Sequence, residues 1–206
     1  MGRTRCAVRV LVVAVALGAT VPACGSSSRA GGTRSSSLVP EFEQLVGKKA
    51  PDFSLLDQFD RRQRLSDYLG KVVLLTFVSS RCTTFCPLTA ELLARTQDLL
   101  GKRADGMQVV AINANYRFTS VHDVLAWSRQ HSMTHRWLFL TAQAATLWTV
   151  YHAYGVTPGD AHTVLVFMID RAGEIRGVVP IAMKRGLDAE AAVLAKSVHS
   201  MEAQGV

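Results

Sequence analysis

With 206 residues, 49% hydrophobic and 19% charged, the chain has length enough for one globular domain with a full core and a tail besides. The formal charge of +7 looks basic, but Arg3, Arg5 and Arg9 contribute three of those charges ahead of an uncharged run, Val10 to Val21. Without residues 1–23 the balance falls from +7 to +4 and is spread along the chain, so no nucleic-acid partner is expected.

The charged start and the short apolar run read as the n- and h-regions of an export signal, too short for a comfortable membrane span. Val21-Pro22-Ala23-Cys24 resembles the cleavage box of a bacterial lipoprotein, in which the cysteine is acylated and becomes the first mature residue. The expected organisation is a lipoprotein-type signal peptide over 1–23, a Gly/Ser-rich tether over 24–39 and a folded domain over 40–206. Cys24 is then a lipid anchor on the extracytoplasmic side of the cell membrane. A coil of ~15 residues reaches about 20 Å, so the domain would sit just off the bilayer. Plain secretory cleavage, leaving Cys24 a free thiol, is the alternative.

Within the domain, Gly47 to Leu56 reads as a short strand, Asp57 to Arg62 as a turn and Gln63 to Asp67 as a second extended piece. Lys71 to Phe77 is apolar and β-branched, as in a strand covered on both faces. Cys86-Pro87-Leu88 opens a helix with Leu88, Leu92, Leu93, Leu99 and Leu100 on one face and Gly101 as its stop. Met107 to Ile112 is a further strand; Thr119-Ser120 with Asp123 starts a helix carrying Val121, Val124, Leu125 and Trp127 and running to about His131. A brief strand, Trp137 to Leu140, precedes a helix over Ala144 to Tyr154 with Leu147, Val150, Tyr151 and Tyr154 inward. Thr163 to Ile169 and Glu174 to Pro180 form a hairpin, and a helix from Leu187 to Met201 closes the chain with Ala191, Leu194, Val198 and Met201 on one face. This alternation predicts an α/β domain, a central sheet with helices on both faces.

Chemistry concentrates at Cys82 and Cys86, between the apolar strand and the helix that follows it. With Cys6 in the signal and Cys24 at the anchor, they are the remaining pair. A structural disulfide here would close almost no loop and contribute little, so redox or metal work is the better reading. A helix N-terminus stabilises a thiolate, which predicts a lowered pKa for Cys86 and, beside Arg81, a smaller lowering for Cys82.

Ala50-Pro51-Asp52-Phe53, Gly70 to Phe77, Cys82-x-x-x-Cys86-Pro87, and His162-Thr163 eight residues before Asp170 together resemble the Sco/SenC family of thioredoxin-fold copper proteins, over roughly residues 47–203. The resemblance implies a thioredoxin-like fold with a central mixed β-sheet. It also implies Cys82, Cys86 and His162 as ligands of copper, as Cu(I) or Cu(II), and the two cysteines as a redox pair that is a disulfide when oxidised. The implied partner is the copper-bearing subunit of cytochrome c oxidase, or another extracytoplasmic copper or thiol protein. His122, His131, His135, His152 and His199 read as solvated or packing residues.

The chain departs from the family where Thr83 and Thr84 replace Pro-Asp between the cysteines, and where Asn113 to Arg117 replaces an expected Asp-Pro segment. A thiol-disulfide oxidoreductase using the same pair is the first alternative. Thr83 to Pro87 also resembles the Thr-x-x-Cys of peroxiredoxins, in which Cys86 would attack peroxide and Cys82 resolve the sulfenate. Against that, Ser79 stands where such enzymes carry proline, and His162 is not their activating arginine.

Overall fold

The computed structural model describes residues 40–158, 164–181 and 184–203. His162 and Cys24 lie outside the described residues, as does the whole of the predicted signal and tether. The described residues form strands β1 (Ser54–Leu56), β2 (Arg62–Arg64), β3 (Val72–Val78), β4 (Met107–Asn113), β5 (Leu138–Leu140), β6 (Leu165–Ile169) and β7 (Ile175–Pro180). The helices are α1 (Phe85–Leu100), α2 (Val121–Gln130), α3 (Ala144–Ala153) and α4 (Leu187–Ala203).

β3 is the centre of a five-stranded mixed sheet of order β5-β4-β3-β6-β7. It runs parallel to β4, from Val72 opposite Met107 to Val78 opposite Asn113, and antiparallel to β6, from Val73 opposite Ile169 to Thr76 opposite Val166. All its residues are buried because alternate side chains enter two different cores. Val72, Leu74 and Val78 meet α1, α2 and α4 through Leu93, Trp127 and Leu194. Val73, Leu75 and Phe77 meet Phe53 and α3 through Leu147, Tyr151 and Tyr154. The buried hydroxyl of Thr76, the one polar residue of the strand, donates to the Leu165 carbonyl at 2.8 Å.

Predicted and observed elements agree closely apart from three places, the first being Gly47 to Leu56, where only Ser54–Leu56 is strand. Of the α1 leucines, Leu92, Leu93 and Leu100 are buried, but Leu88 and Leu99 are 36% and 56% exposed. The inward stripe runs instead through Thr89, Ala90 and Thr96. The two threonines occupy it because their hydroxyls donate to the Phe85 and Leu92 carbonyls of the preceding turn. The second extended piece, Gln63 to Asp67, is strand only to Arg64 and then turns into a 3-10 helix over Leu65–Tyr68. Asp67 accepts the Arg64 N–H and Asp52 accepts the Ser66 N–H, which bends the chain there.

Both borders of the sheet are occupied by the segment that precedes β3. Along β7, Gly47 N–H donates to the Ile175 carbonyl and Ile175 N–H to the Lys48 carbonyl. Along β5, Leu56 and Thr141 exchange backbone hydrogen bonds. The buried Gln58 side chain accepts the Phe139 N–H at 2.8 Å and donates to the Trp137 carbonyl at 2.9 Å.

Candidate functional site: a thiol pair at the start of α1

Because β3 and β4 are parallel, their carboxyl ends deliver two loops to the same side: residues 79–84 after β3 and 114–120 after β4. Asn113, fully buried at the end of β4, ties them together. Its Oδ1 accepts the N–H groups of Ser80 (3.2 Å) and Asn115 (3.0 Å), and its Nδ2 donates to the Phe118 carbonyl (2.8 Å) and Thr141 Oγ1 (3.4 Å). Ser79 Oγ accepts from the Arg81 amide and from Asn115 Nδ2, both at 3.3 Å, and the Cys82 N–H donates to the Ser79 carbonyl at 3.1 Å. The loop carrying the first cysteine is therefore held by hydrogen bonds along its length.

Both cysteines are free thiols and both are buried, Cys82 at 9% exposure and Cys86 at 2%. The Cys86 N–H donates to Cys82 Sγ at 3.4 Å. That amide is one of the unpaired donors of the first turn of α1, and Thr84, at the N-cap position, supplies no side-chain cap. The Cys82 sulfur thus takes the place of the capping oxygen, with the helix dipole directed at it. Thr84 Oγ1 lies 3.7 Å from the same sulfur.

This arrangement reverses the expected order of acidity. For Cys82, burial works against ionisation, but hydrogen bonds from the Cys86 thiol and amide and from Thr84 outweigh it and lower its pKa below the ordinary thiol range. For Cys86, burial, then the hydrogen bond with Cys82 and the charge Cys82 carries, push the thiol well above that range. The prediction that Cys86 would be the more acidic thiol fails because its own amide points at the other sulfur. Arg81, expected to assist Cys82, turns aside: its Nη2 donates to Asp123 Oδ1 at 2.9 Å and its guanidinium lies 4.0 Å from the Phe118 ring centroid. Phe118 (43% exposed) on the second loop and Phe85 (51% exposed), the first residue of α1 and next to Cys86 in the chain, present apolar surface to solvent.

Two thiols joined by a hydrogen bond form a soft donor pair, which suits Cu(I) better than a hard divalent ion. Among the described residues, no group of three His, Cys, Asp or Glu is placed to hold a metal ion. Four of the five described histidines make other contacts. His131 packs tilted against Trp127 at 4.0 Å, with burial lowering its pKa; His135 stacks on Phe59, His152 packs on Trp148 and His199 meets Arg103.

Sequence reasoning missed two members of the site. Trp127 belongs to the predicted helix over 121–131 and is buried, but its indole N–H also donates to the Cys82 carbonyl at 3.1 Å. Asn113 stands out in the sequence only as the start of the stretch that departs from the family pattern. A polar residue ending an otherwise apolar strand was the signal available for it.

Comparison with known proteins places these features. A thiol-disulfide oxidoreductase ResA from Geobacillus kaustophilus is 28% identical over 140 residues, 68% of this chain and 72% of that one. Among solved structures, ScoI from Bradyrhizobium japonicum with copper bound superposes with a TM-score of 0.58 at 22% identity, over 72% of this chain and 99% of that one. BsSco, described as a member of the Sco family of cytochrome c oxidase assembly proteins with a disulfide switch, superposes with a TM-score of 0.62 at 15% identity, over 76% and 95%. These likenesses show the thioredoxin-like α/β fold, and Sco proteins among the neighbours agree with the resemblance read from the motifs. The AhpC/TSA family model matches residues 46–178, a span that runs from before β1 into β7 and includes both cysteines, and the chain belongs to the AhpC/TSA family.

Proposed function

We propose that this chain is a Sco-like protein, held at the extracytoplasmic face of the membrane by a lipid on Cys24, whose Cys82 and Cys86 alternate between dithiol and disulfide. The dithiol is the copper-holding form: the two sulfurs and the His162 imidazole bind one Cu(I) as cargo, for assembly of the copper centre of cytochrome c oxidase. The observation that carries this reading is the thiol pair itself, free, buried and joined at the N-terminus of α1 by the Cys86 amide at 3.4 Å. The copper-bound ScoI structure of the same fold supports the metal assignment.

A second reading, thiol-disulfide reduction by the same pair, is favoured by the difference between the two thiols. Cys82, the more acidic, attacks one sulfur of a target disulfide; a mixed disulfide forms and the target's other sulfur leaves as thiolate and takes a proton. Cys86 then loses its proton and attacks Cys82 Sγ, forming the internal disulfide and releasing the second target thiol, so two electrons pass to the target. Two of the causes that raise Cys86, its hydrogen bond with Cys82 and the charge there, vanish once Cys82 is in the mixed disulfide. Peroxide attack through Cys86 is opposed by its burial and its raised pKa.

The deciding experiment is titration of the anaerobically reduced protein with Cu(I) against a competing chelator. One equivalent is expected to bind tightly, with Cys82→Ser, Cys86→Ser and His162→Ala each weakening it strongly. Full affinity in His162→Ala removes the imidazole from the site. Undiminished disulfide turnover in that variant, with no copper uptake by the wild type, leaves the reductase reading alone.

A further inference from the structure

Two side chains of α2 reach the loop that carries the first thiol. Asp123 Oδ1 accepts from Arg81 Nη2 at 2.9 Å, and Trp127 Nε1 donates to the Cys82 carbonyl oxygen at 3.1 Å. Their spacing of four places them on one helix face, one turn apart, and their targets are consecutive residues. Each gripping group is itself fixed. Trp127, 4% exposed, stacks on Trp137 at 5.5 Å and meets the Phe139 ring edge-on at 5.8 Å. An indole has a single donor, so its whole hydrogen-bonding capacity goes to that carbonyl. Asp123 Oδ2 is held by the Ser120 hydroxyl and amide, and Arg81 is sandwiched between Asp123 and the Phe118 ring.

We infer that Asp123 and Trp127 are positioning residues for the thiol pair. By clamping Arg81 and the Cys82 carbonyl they keep Cys82 Sγ over the Cys86 amide, within reach of the second sulfur. A disulfide tolerates only a narrow range of Cα separations and directions, so a loop free to swing would bridge less readily. The inference rests on the reading that the pair alternates between dithiol and disulfide. The charged and titratable groups facing this loop are Arg81, Asp123, the Cys86 thiol and, against Trp127, His131. The variants below conserve all of them in charge.

The test is the redox equilibrium of the full-length protein in glutathione buffers, with the bridge scored by mass on the peptide spanning both cysteines. Dithiol and oxidised glutathione give the internal disulfide and two molecules of reduced glutathione, so the reaction balances in electrons and protons. Trp127→Phe keeps the aromatic stack and removes the N–H; the equilibrium constant for bridging is expected to fall about tenfold, a potential about 30 mV less negative. Tyr154→Phe is the control, because it removes one hydrogen bond of a buried aromatic, to the Pro51 carbonyl at 2.8 Å, in the other core and away from the thiols; it is expected to stay within about twofold of the wild type. Arg81→Lys, at a side chain 55% exposed, keeps the charge but loses the planar donor and the ring contact; a two- to threefold fall is expected, and this variant decides if Trp127→Phe does not fold.

A Trp127→Phe equilibrium equal to the wild type overturns the inference. So does an equal shift in Tyr154→Phe or a shift of opposite sign. A wild type that never forms the bridge overturns the reading of the pair itself, and is told apart because it appears without any substitution.

Discussion

Asn113→Ala should destabilise the domain more than any exposed substitution near the site, and the hydrogen bonds say by how much. The side chain is fully buried and makes four of them. Two partners keep an alternative after truncation. The Phe118 carbonyl still accepts from Ser80 Oγ at 3.2 Å, and Thr141 Oγ1 still donates to the Thr119 carbonyl at 2.8 Å. The other two, the Ser80 and Asn115 amides, lose the acceptor that Asn113 provides. A buried amide left unpaired costs about 1–3 kcal/mol, and the Asn115 amide, only partly buried, falls at the low end. The sum is roughly 2–4 kcal/mol. With a urea dependence of roughly 2 kcal/mol per molar, the unfolding midpoint followed by far-ultraviolet circular dichroism should drop by about 1–2 M at unchanged slope. A loss below about 1 kcal/mol would mean that the two loops hold each other without Asn113, and the account of a tied pair of loops would fail.

The unequal thiols predict unequal alkylation. At neutral pH iodoacetamide should label Cys82 first, with a rate midpoint below that of an ordinary thiol, while Cys86 stays largely unlabelled in the native protein. Cys86→Ser should keep the fast phase and Cys82→Ser abolish it; fast labelling of Cys86 would contradict the capping role of the Cys82 sulfur. Alkaline stability has a definite sign. Cys86 and Tyr154 have folded-state pKa values raised by burial, so the stability they contribute is complete below their unfolded pKa values. It is lost as pH rises from about 8.5 to beyond 10 towards their folded values, by up to about 1.4 kcal/mol per pH unit for each group. Melting temperatures should therefore fall over that window and fall less in Tyr154→Phe; a flat profile refutes the burial argument. Asp57, whose side chain is fully buried, accepts the Phe59 and Arg61 amides, Arg61 Nε and Gln63 Nε2. Asp57→Ala leaves these donors without that carboxylate and should cost about 3 kcal/mol or more in the same urea assay.

Much of this molecule was legible from the pattern of its residues. The apolar, β-branched run of β3 announced a strand covered on both faces, and Thr119-Ser120 with Asp123 announced the start of α2, where Ser120 is the cap and both arms of the capping box form. Helix faces were harder where polar residues lie inward. Thr89 and Thr96 displaced Leu88 and Leu99 from the α1 stripe because a threonine hydroxyl can satisfy itself on its own helix. The thiol pair was visible as a motif, but its polarity was not. Which sulfur caps the helix depends on the direction of one amide, and no spacing rule reports that. Trp127 and Asn113 act on the site through backbone groups of residues 45 and 33 positions away, so their roles emerged only from tertiary placement.

The segment between Gly47 and Gln58 wraps the sheet like a hem, closing the outer side of β7 with its first half and of β5 with its second. Unsealed strand borders invite pairing with other chains. A protease cut or truncation within this stretch would thus expose two sticky margins at once, on opposite flanks. The damaged protein would tend to polymerise in rows rather than merely loosen, even with its thiols intact.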